Sequence, residues 1–404
     1  GSLLVPPSKS DAQRAILCAA LSSGVSEISN YGKSEDVLSM LTNVEKLGAT
    51  LEYLDGTLRI HGTTQVPNGL ELNVGESGLG LRLLAGVFAC SPFTQTLIGQ
   101  GSILLRDQSF IQKYFPENGV EVTSRNNKIP LSISGQFLGG DITVDGSESS
   151  QYISGLLLGL PLIGKKSVLH VENSKSTPYI SMTLDTLQKF GIEIINENFQ
   201  SYQIKGGQNY TPCKYAVESD WSSASYWLVA SAIGNPIGLN GLSMQSKQAD
   251  IKILEAFENA NCIIQREKDE IQIDGLLRRA FSFDATDCPD LFPALVTFAV
   301  FCEGVTTLKG VSRLSNKESD RGVVLQKEFG KLGVRIEIND DVMSVFGGGE
   351  LNGNTLSSHN DHRIAMCLAI AATKIEEGIL IKGGESVSKS YPEFWEHLEM
   401  LTAG

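Results

Sequence analysis

An α/β fold of six repeated units, each about 70 residues long and gathered three to a lobe, is what this 404-residue chain predicts. Three observations lead there. An amphipathic stretch ending on a Gly- or Asn-centred turn recurs at Gly48, Gly119, Gly191, Asn261 and Gly333, at spacings of 71, 72, 70 and 72 residues. A second helix, small and apolar on nearly every face, recurs on the same period, and such a helix is a buried one. Finally, 41 glycines and 13 prolines without a Gly-X-Y period describe a turn-rich globular chain and exclude collagen.

The units read in order as helix pairs. SDAQRAILCAAL is the buried helix of the first, and VEKLGATLEY carries its exposed helix end, turn and strand. GLGLRLLAGVFAC and YFPENGVEVT make the second unit, SQYISGLLLGL and LQKFGIEII the third. SSASYWLVASAI and FENANCIIQ form the fourth, DLFPALVTFAVF and FGKLGVRIEI the fifth, and DHRIAMCLAIAA opens the sixth. Gly and Asn accept the left-handed conformation that ends a helix. The alternation after them (Val-Glu-Val, Ile-Glu-Ile) is that of a half-buried strand. A Ser, Gly or Asp near each buried-helix start is of the kind that caps helix N-termini. The next repeat step lands on Gly404, so the sixth unit is expected to lack its last strand and to borrow residues 3–5 for it. Pro6-Pro7 and residues 216–221 flank the first three units, which places one lobe at 8–217 and the other at 218–404 together with 1–7.

Several function classes fall away. The formal net charge of −13 argues against a nucleic-acid coat, because duplex binding needs cations that replace condensed counterions. A small anion held in a local basic pocket stays compatible with it. Seven scattered cysteines without C-x-x-C spacing predict neither a disulfide framework nor a zinc site, and they point to a reducing cytoplasm. Five histidines without paired helical spacing predict no metal site. The longest near-apolar runs, residues 153–164 and 292–302, fall short of the roughly 18–20 residues that cross a bilayer. No secretory signal opens the chain, and with Met40 as first methionine the native start is expected upstream of Gly1.

Chemistry-bearing residues gather near the buried-helix starts, where free N–H groups and a partial positive charge attract anions. Lys9, Ser10 and Arg14 open the first helix, and cations there oppose the helix dipole unless an anion joins them. Glu76 to Arg82 form a Gly-rich turn that lacks the Gly-Lys-Ser/Thr ending of a phosphate-binding loop; Arg106 follows it. Ser149, Ser150 and Gln151 start the third unit's helix, with Ser176 and Tyr179 on a loop downstream. Asp290 leads the fifth unit's helix, Lys317, Glu318 and Arg321 lie in RLSNKESDR, Arg363 enters the last apolar helix beside His362, and Lys389 lies in SVSKSYPEF. Plain structural readings stand beside these: surface charge for Lys9, capping for Ser149 and Asp290, a solvated turn for residues 313–321. Neither G-x-S-x-G nor H-E-x-x-H occurs. The remaining set of cations, hydroxyls and few carboxylates suits binding two anions and moving protons and phosphate without a metal.

Together, PPSKSDAQRAILCAAL, DGSESSQYISGLLLGLPL, SKSTPYI, ESDWSSASYWL, RLSNKESDRG, NDHRIAMCLAI and SKSYPEFW resemble the 5-enolpyruvylshikimate-3-phosphate synthase family, in order from residue 6 to about 396. The resemblance implies a two-lobed inverted α/β barrel of six βαβαββ repeats. It also implies transfer of the enolpyruvyl group of phosphoenolpyruvate to the 5-hydroxyl of shikimate 3-phosphate, with release of phosphate, in the shikimate pathway. No cofactor and no metal are implied; the expected form is a cytoplasmic monomer that binds small anionic substrates and neither nucleic acid nor membrane. By resemblance, Lys9, Ser10, Arg14, Ser149, Ser150, Ser176, Tyr179, Asp290 and Lys317 hold shikimate 3-phosphate. Lys9, Gly78, Arg106, Gln151, Arg321, Arg363 and Lys389 hold phosphoenolpyruvate. Asp290 accepts the 5-hydroxyl proton, and Glu318 and Lys9 are the candidates for proton exchange at the methylene carbon.

The pattern departs from the family at Glu76 and Leu79, where Asn and Thr are usual, at Asp107, and at Arg313. A bare carboxylate beside two anions would be costly, so Glu76 is expected to be paired with a basic neighbour or turned away. Removing Arg321, Arg363 or Lys389 is expected to cut activity while sparing the fold. The alternative readings are the sister transferase acting on UDP-N-acetylglucosamine, which would need a reactive cysteine, and a non-catalytic member of the same fold.

Overall fold

The computed structural model describes residues 1–63, 66–267 and 269–402; Gly404, where the repeat period ends, lies outside them. The chain divides into two compact lobes, one of Lys9–Val217 and one of Glu218–Gly404 with Gly1–Ser8.

In the 9–217 lobe the helices are α1 (Lys9–Ala20), α2 (Glu35–Lys46), α3 (Gly78–Phe88), α4 (Ser109–Glu117), α5 (Ser150–Gly159) and α6 (Thr177–Lys189). In the other they are α7 (Trp221–Ala232), α8 (Ile253–Asn259), α9 (Phe292–Val300), α10 (Arg321–Lys331), α11 (His362–Ala372) and α12 (Phe394–Thr402). Helices α1, α3, α5, α7, α9 and α11 are buried along most or all of their length, as their apolar composition requires. Helices α2, α4, α6 and α10 are amphipathic and end on a glycine with positive φ; α8 ends on Asn261 at φ 64°, the residue other than Gly best able to adopt that conformation.

Each complete repeat makes one four-stranded sheet. Leu70–Asn73 and Gln95–Ile98 run parallel across the crossover helix α3, and the hairpin Glu121–Arg125 and Lys128–Ser134 adds two antiparallel strands beyond α4. Gly140–Asp145, Ser167–Glu172, Ser201–Ile204 and Ile194–Glu197 repeat that order, and Ser282–Asp284, Gly304–Lys309, Val342–Gly347 and Arg335–Asn339 repeat it in the other lobe.

The strand just before each lobe-opening buried helix, Ser2–Leu4 before α1 and Lys214–Ala216 before α7, does not pair with the strand that follows that helix. Lys214–Ala216, from the end of the 9–217 lobe, pairs in parallel with Val25–Ser29. Ser2–Leu4 pairs in parallel with Gly238–Asn240, flanked by the bonds Val5 N–H to Asn240 O at 3.1 Å and Gly238 N–H to Gly1 O at 3.0 Å. The N-terminal strand therefore completes the fourth unit, not the sixth as the repeat count suggests. The strand that precedes α7, Lys214–Ala216, is taken up by Val25–Ser29 of the first unit, and this leaves the parallel edge of Gly238–Asn240 to the N-terminal strand. The sixth keeps a two-stranded parallel sheet, Thr355–Ser357 with Leu380–Lys382, among the described residues.

Helices α3 and α5 touch backbone to backbone. A Cβ on Gly155 would overlap the Arg82 carbonyl, and one on Gly86 would overlap the backbone of Gly155. Among the described residues, no helix is long and apolar enough to cross a membrane.

Candidate active site

Within the 9–217 lobe, hydrogen bonds tie the starts of α1, α3, α5 and α6 together. Lys9, at the first position of α1, pairs its ammonium with Asp36 Oδ2 of α2 at 2.8 Å. One turn on, Arg14 is 1% exposed. Its Nε donates to Thr183 Oγ1 at 2.8 Å, Nη1 to the Ser10 carbonyl at 2.6 Å and Nη2 to the Tyr179 carbonyl at 3.3 Å. Burial pulls the Arg14 pKa down, against the nearby charge of Asp11. Thr183 passes the bond on to Ser154 of α5 at 2.8 Å. Gln13 Oε1 accepts from Ser77, whose hydroxyl caps α3 by accepting from Gly80 N–H, each at 3.0 Å. Ser149 caps α5 by accepting from Gln151 N–H at 3.3 Å, and Ser176 takes the N-cap of α6 in the left-handed conformation.

A second group forms around Gly78. Arg82 donates to Gln151 Oε1 at 2.5 Å, with its guanidinium 4.7 Å from the centre of the Tyr152 ring. Arg106 donates to Ser102 Oγ at 3.1 Å, and a Cβ on Gly78 would stand 2.7 Å from Arg106 Nη1. Glycine lets that guanidinium lie against the backbone. Glu76 is held in place beside this group. Its carboxylate accepts the Ser102 N–H at 2.8 Å, at the start of the 3-10 turn Gly101–Leu105, so a backbone dipole supplies this partner.

In the 218–404 lobe the starts of α7, α9, α10 and α11 meet in a charged network. Asp290 Oδ1 receives Lys317 at 3.2 Å and Arg321 Nη1 at 2.7 Å; its Oδ2 receives Arg363 at 3.2 Å. Arg321 also holds Glu318 at 2.6 Å and Asp361 at 2.8 Å, and Asp361 caps α11 through the Arg363 N–H at 3.0 Å. Arg363 Nη2 reaches Ser222 Oγ at 3.3 Å, and Ser222 donates to Asp250. Lys389, 5% exposed, donates to the Asn360 carbonyl at 2.7 Å.

The charges set the acidities. Burial pushes the Asp290 carboxyl up, but Arg363, Lys317 and Arg321 outweigh it and hold the group well below the ordinary carboxylate range. Burial draws the Lys317 ammonium down, partly countered by Asp290. Asp250, with burial and then the charge of Asp290 both acting to raise it, rises to about 7.

The structure thus joins Ser10, Arg14 and Tyr179 in one group, Gly78, Arg106 and Gln151 in or beside a second, and Asp290, Lys317, Glu318, Arg321 and Arg363 in a third. Sequence reasoning assigned no site role to Gln13, Thr183, Ser222 or Asp250, and to Asp361 only a capping one. Asp361 stood in the quoted DHR run as a cap. The others carried no local signal, since their partners are distant in sequence.

A family model described as EPSP synthase (3-phosphoshikimate 1-carboxyvinyltransferase) matches residues 1–398. The 3-phosphoshikimate 1-carboxyvinyltransferase of Clostridium perfringens is 37% identical over 405 residues, covering 99% of this chain and 96% of the relative. That of Clostridioides difficile is 35% identical over 419 residues, with coverages of 99% and 95%. Among solved structures, EPSP synthase from Acinetobacter baumannii has a TM-score of 0.80 at 27% identity, covering 99% of this chain and 95% of that one. The enolpyruvyl transferase NikO from Streptomyces tendae, 17% identical with a TM-score of 0.79 over 99% and 94% of the two chains, shares the fold.

Proposed function

This chain belongs to the EPSP synthase family, and on that premise we propose which of its residues carry the family's reaction. The reaction transfers the enolpyruvyl group of phosphoenolpyruvate to the 5-hydroxyl of shikimate 3-phosphate and releases phosphate. Ser10, Arg14, Ser149, Ser150, Ser176, Tyr179 and Lys317 bind the shikimate phosphate and hydroxyls. Lys9, Arg106, Gln151, Arg321, Arg363 and Lys389, with the Gly78 backbone, bind phosphoenolpyruvate; guanidinium forks suit its carboxylate and phosphate.

The observation that supports this reading best is the position of Asp290 between Lys317, Arg321 and Arg363. With all three cations turned to it, Asp290 is a weak base. Anionic substrates that draw those cations away leave the carboxylate with less counter-charge, and its affinity for a proton rises. Asp290 then takes the 5-hydroxyl proton as the oxygen attacks the enol carbon, while Glu318 or Lys9 delivers a proton to the methylene carbon. Loss of phosphate and of a methyl proton from the tetrahedral intermediate restores the double bond. Base strength is thereby tied to substrate occupancy.

A phosphate-release assay with phosphoenolpyruvate and shikimate 3-phosphate tests this, with UDP-N-acetylglucosamine as the control acceptor. Turnover with the first acceptor and none with the second is expected; the reverse would overturn the assignment. The sister transferase needs a reactive cysteine, whereas Cys288 is fully buried and its thiol is pushed well up by burial and then by Asp250. Iodoacetamide should leave turnover unchanged. The free state of the seven cysteines supports a reducing compartment, and a cytoplasmic monomer is our reading of the working form.

A further inference from the structure

Asp250 lies on the 3-10 turn Ala249–Lys252, 1% exposed, and none of the roles above uses it. The charged or titratable groups around it include Asp220 ahead of α7, Asp290 and Cys288 around the turn before α9, and Arg363 of α11. A hydroxyl links it to the reaction. Ser222 has a single proton and donates it to Asp250 Oδ2. The Oγ lone pairs are thereby left to accept, and Arg363 Nη2 donates to them at 3.3 Å. A Ser222 hydroxyl free to rotate could instead aim its proton at the guanidinium, where it would repel.

Two further bonds of Arg363 both run to Asp290, to Oδ2 at 3.2 Å and to the carbonyl at 3.4 Å. The side-chain bond is one that must loosen when Asp290 serves as base and Arg363 turns to a carboxylate or phosphate. Ser222 is an anchor independent of Asp290. The geometry points to Asp250 as a positioning residue for Arg363, acting through the Ser222 hydroxyl and keeping the guanidinium aimed at phosphoenolpyruvate after Asp290 releases it. This rests on the reading of Arg363 as a phosphoenolpyruvate ligand. Asp250 serves in either protonation state, because both retain an oxygen that accepts the Ser222 proton.

Steady-state kinetics on the full chain test it, using Asp250→Ala, Asp250→Asn, Ser222→Ala and the Asp250→Ala/Ser222→Ala double variant. Asp250→Ala and Ser222→Ala should each raise the KM for phosphoenolpyruvate about tenfold with kcat within about threefold of wild type. The double variant should be no worse than either single one, because both act on one path. Asp250→Asn, whose amide oxygen still accepts, should stay within about threefold of wild type in KM. A merely structural Asp250 would lower kcat by depleting active molecules while leaving KM alone, and that result overturns the proposal. So do additive losses in the double variant, or a wild-type KM in Ser222→Ala; this last arm decides the matter if Asp250→Ala does not fold. Absence of turnover in the wild-type enzyme would bring down the underlying assignment of the site, a different failure from a wild-type KM in the variants.

Discussion

Arg321 holds three carboxylates at once: Glu318 at 2.6 Å, Asp290 at 2.7 Å and Asp361 at 2.8 Å. A cation waiting for an anionic ligand could be removed without harm to the fold, and that was the expectation for it. As a 1% exposed hub it cannot. Arg321→Ala strips three carboxylates of a buried partner, and breaking such a network costs about 3–5 kcal/mol. Lys389→Ala leaves a carbonyl without this donor, about 1–3 kcal/mol. Both variants should lose at least about a hundredfold in turnover, but urea midpoints should separate them, with Arg321→Ala far the lower; equal midpoints would contradict the network. Asp250 yields a prediction in pH. A carboxyl whose native pKa stands above its unfolded value contributes stability that is complete below the unfolded value and is lost as pH rises through the native one. For Asp250 that window runs from 3.8 to about 7. Asp250→Asn cannot ionise, so its melting temperature relative to wild type should be higher at pH 8 than at pH 5, as scanning calorimetry at the two pH values would read.

The pairing of α3 with α5 shows what an element contributes beyond its own residues. Arg82 meets Gln151 because Gly86 and Gly155 let the two helix backbones touch. Gly155→Ala would improve helix propensity by up to about 1 kcal/mol in isolation. Here its methyl meets the Arg82 carbonyl, and overpacking of this kind costs about 1–3 kcal/mol. The variant should be less stable in urea despite its better propensity, and its KM for phosphoenolpyruvate should rise because Gln151 and Gly78 ride on the two displaced helices. A more stable variant would mean the helices have slack.

Both lobes complete a sheet with a strand from far along the chain, Lys214–Ala216 in one and Ser2–Leu4 in the other. The N-terminal strand brings Leu3 and Val5, 4% and 2% exposed, into the core of the 218–404 lobe. Burying side chains of this size is worth about 1.5–3 kcal/mol each. Deleting residues 1–5 should therefore destabilise that lobe and leave the other intact. Hydrogen exchange should show protection falling in Gly238–Asn240 and Glu270–Asp274 first; equal loss in Val25–Ser29 would contradict the pairing.

Six buried helices, their exposed partners, the caps and the turns were legible because each is written in a local pattern: an apolar face every three or four residues, a Ser or Asp at the start, a Gly or Asn at the end. The candidate site residues were legible for a related reason, since cations and hydroxyls at an apolar helix start conflict with burial unless a ligand explains them. What a side chain there is bonded to was not. Arg14 and Thr183 lie 169 residues apart, Arg363 and Ser222 141, and no local period links either pair. The destination of the N-terminal strand belongs to the same class. Hydrogen-bond partners are chosen by which helix starts the packing brings together, and that depends on the whole arrangement of strands and glycine contacts rather than on the residues that flank each group.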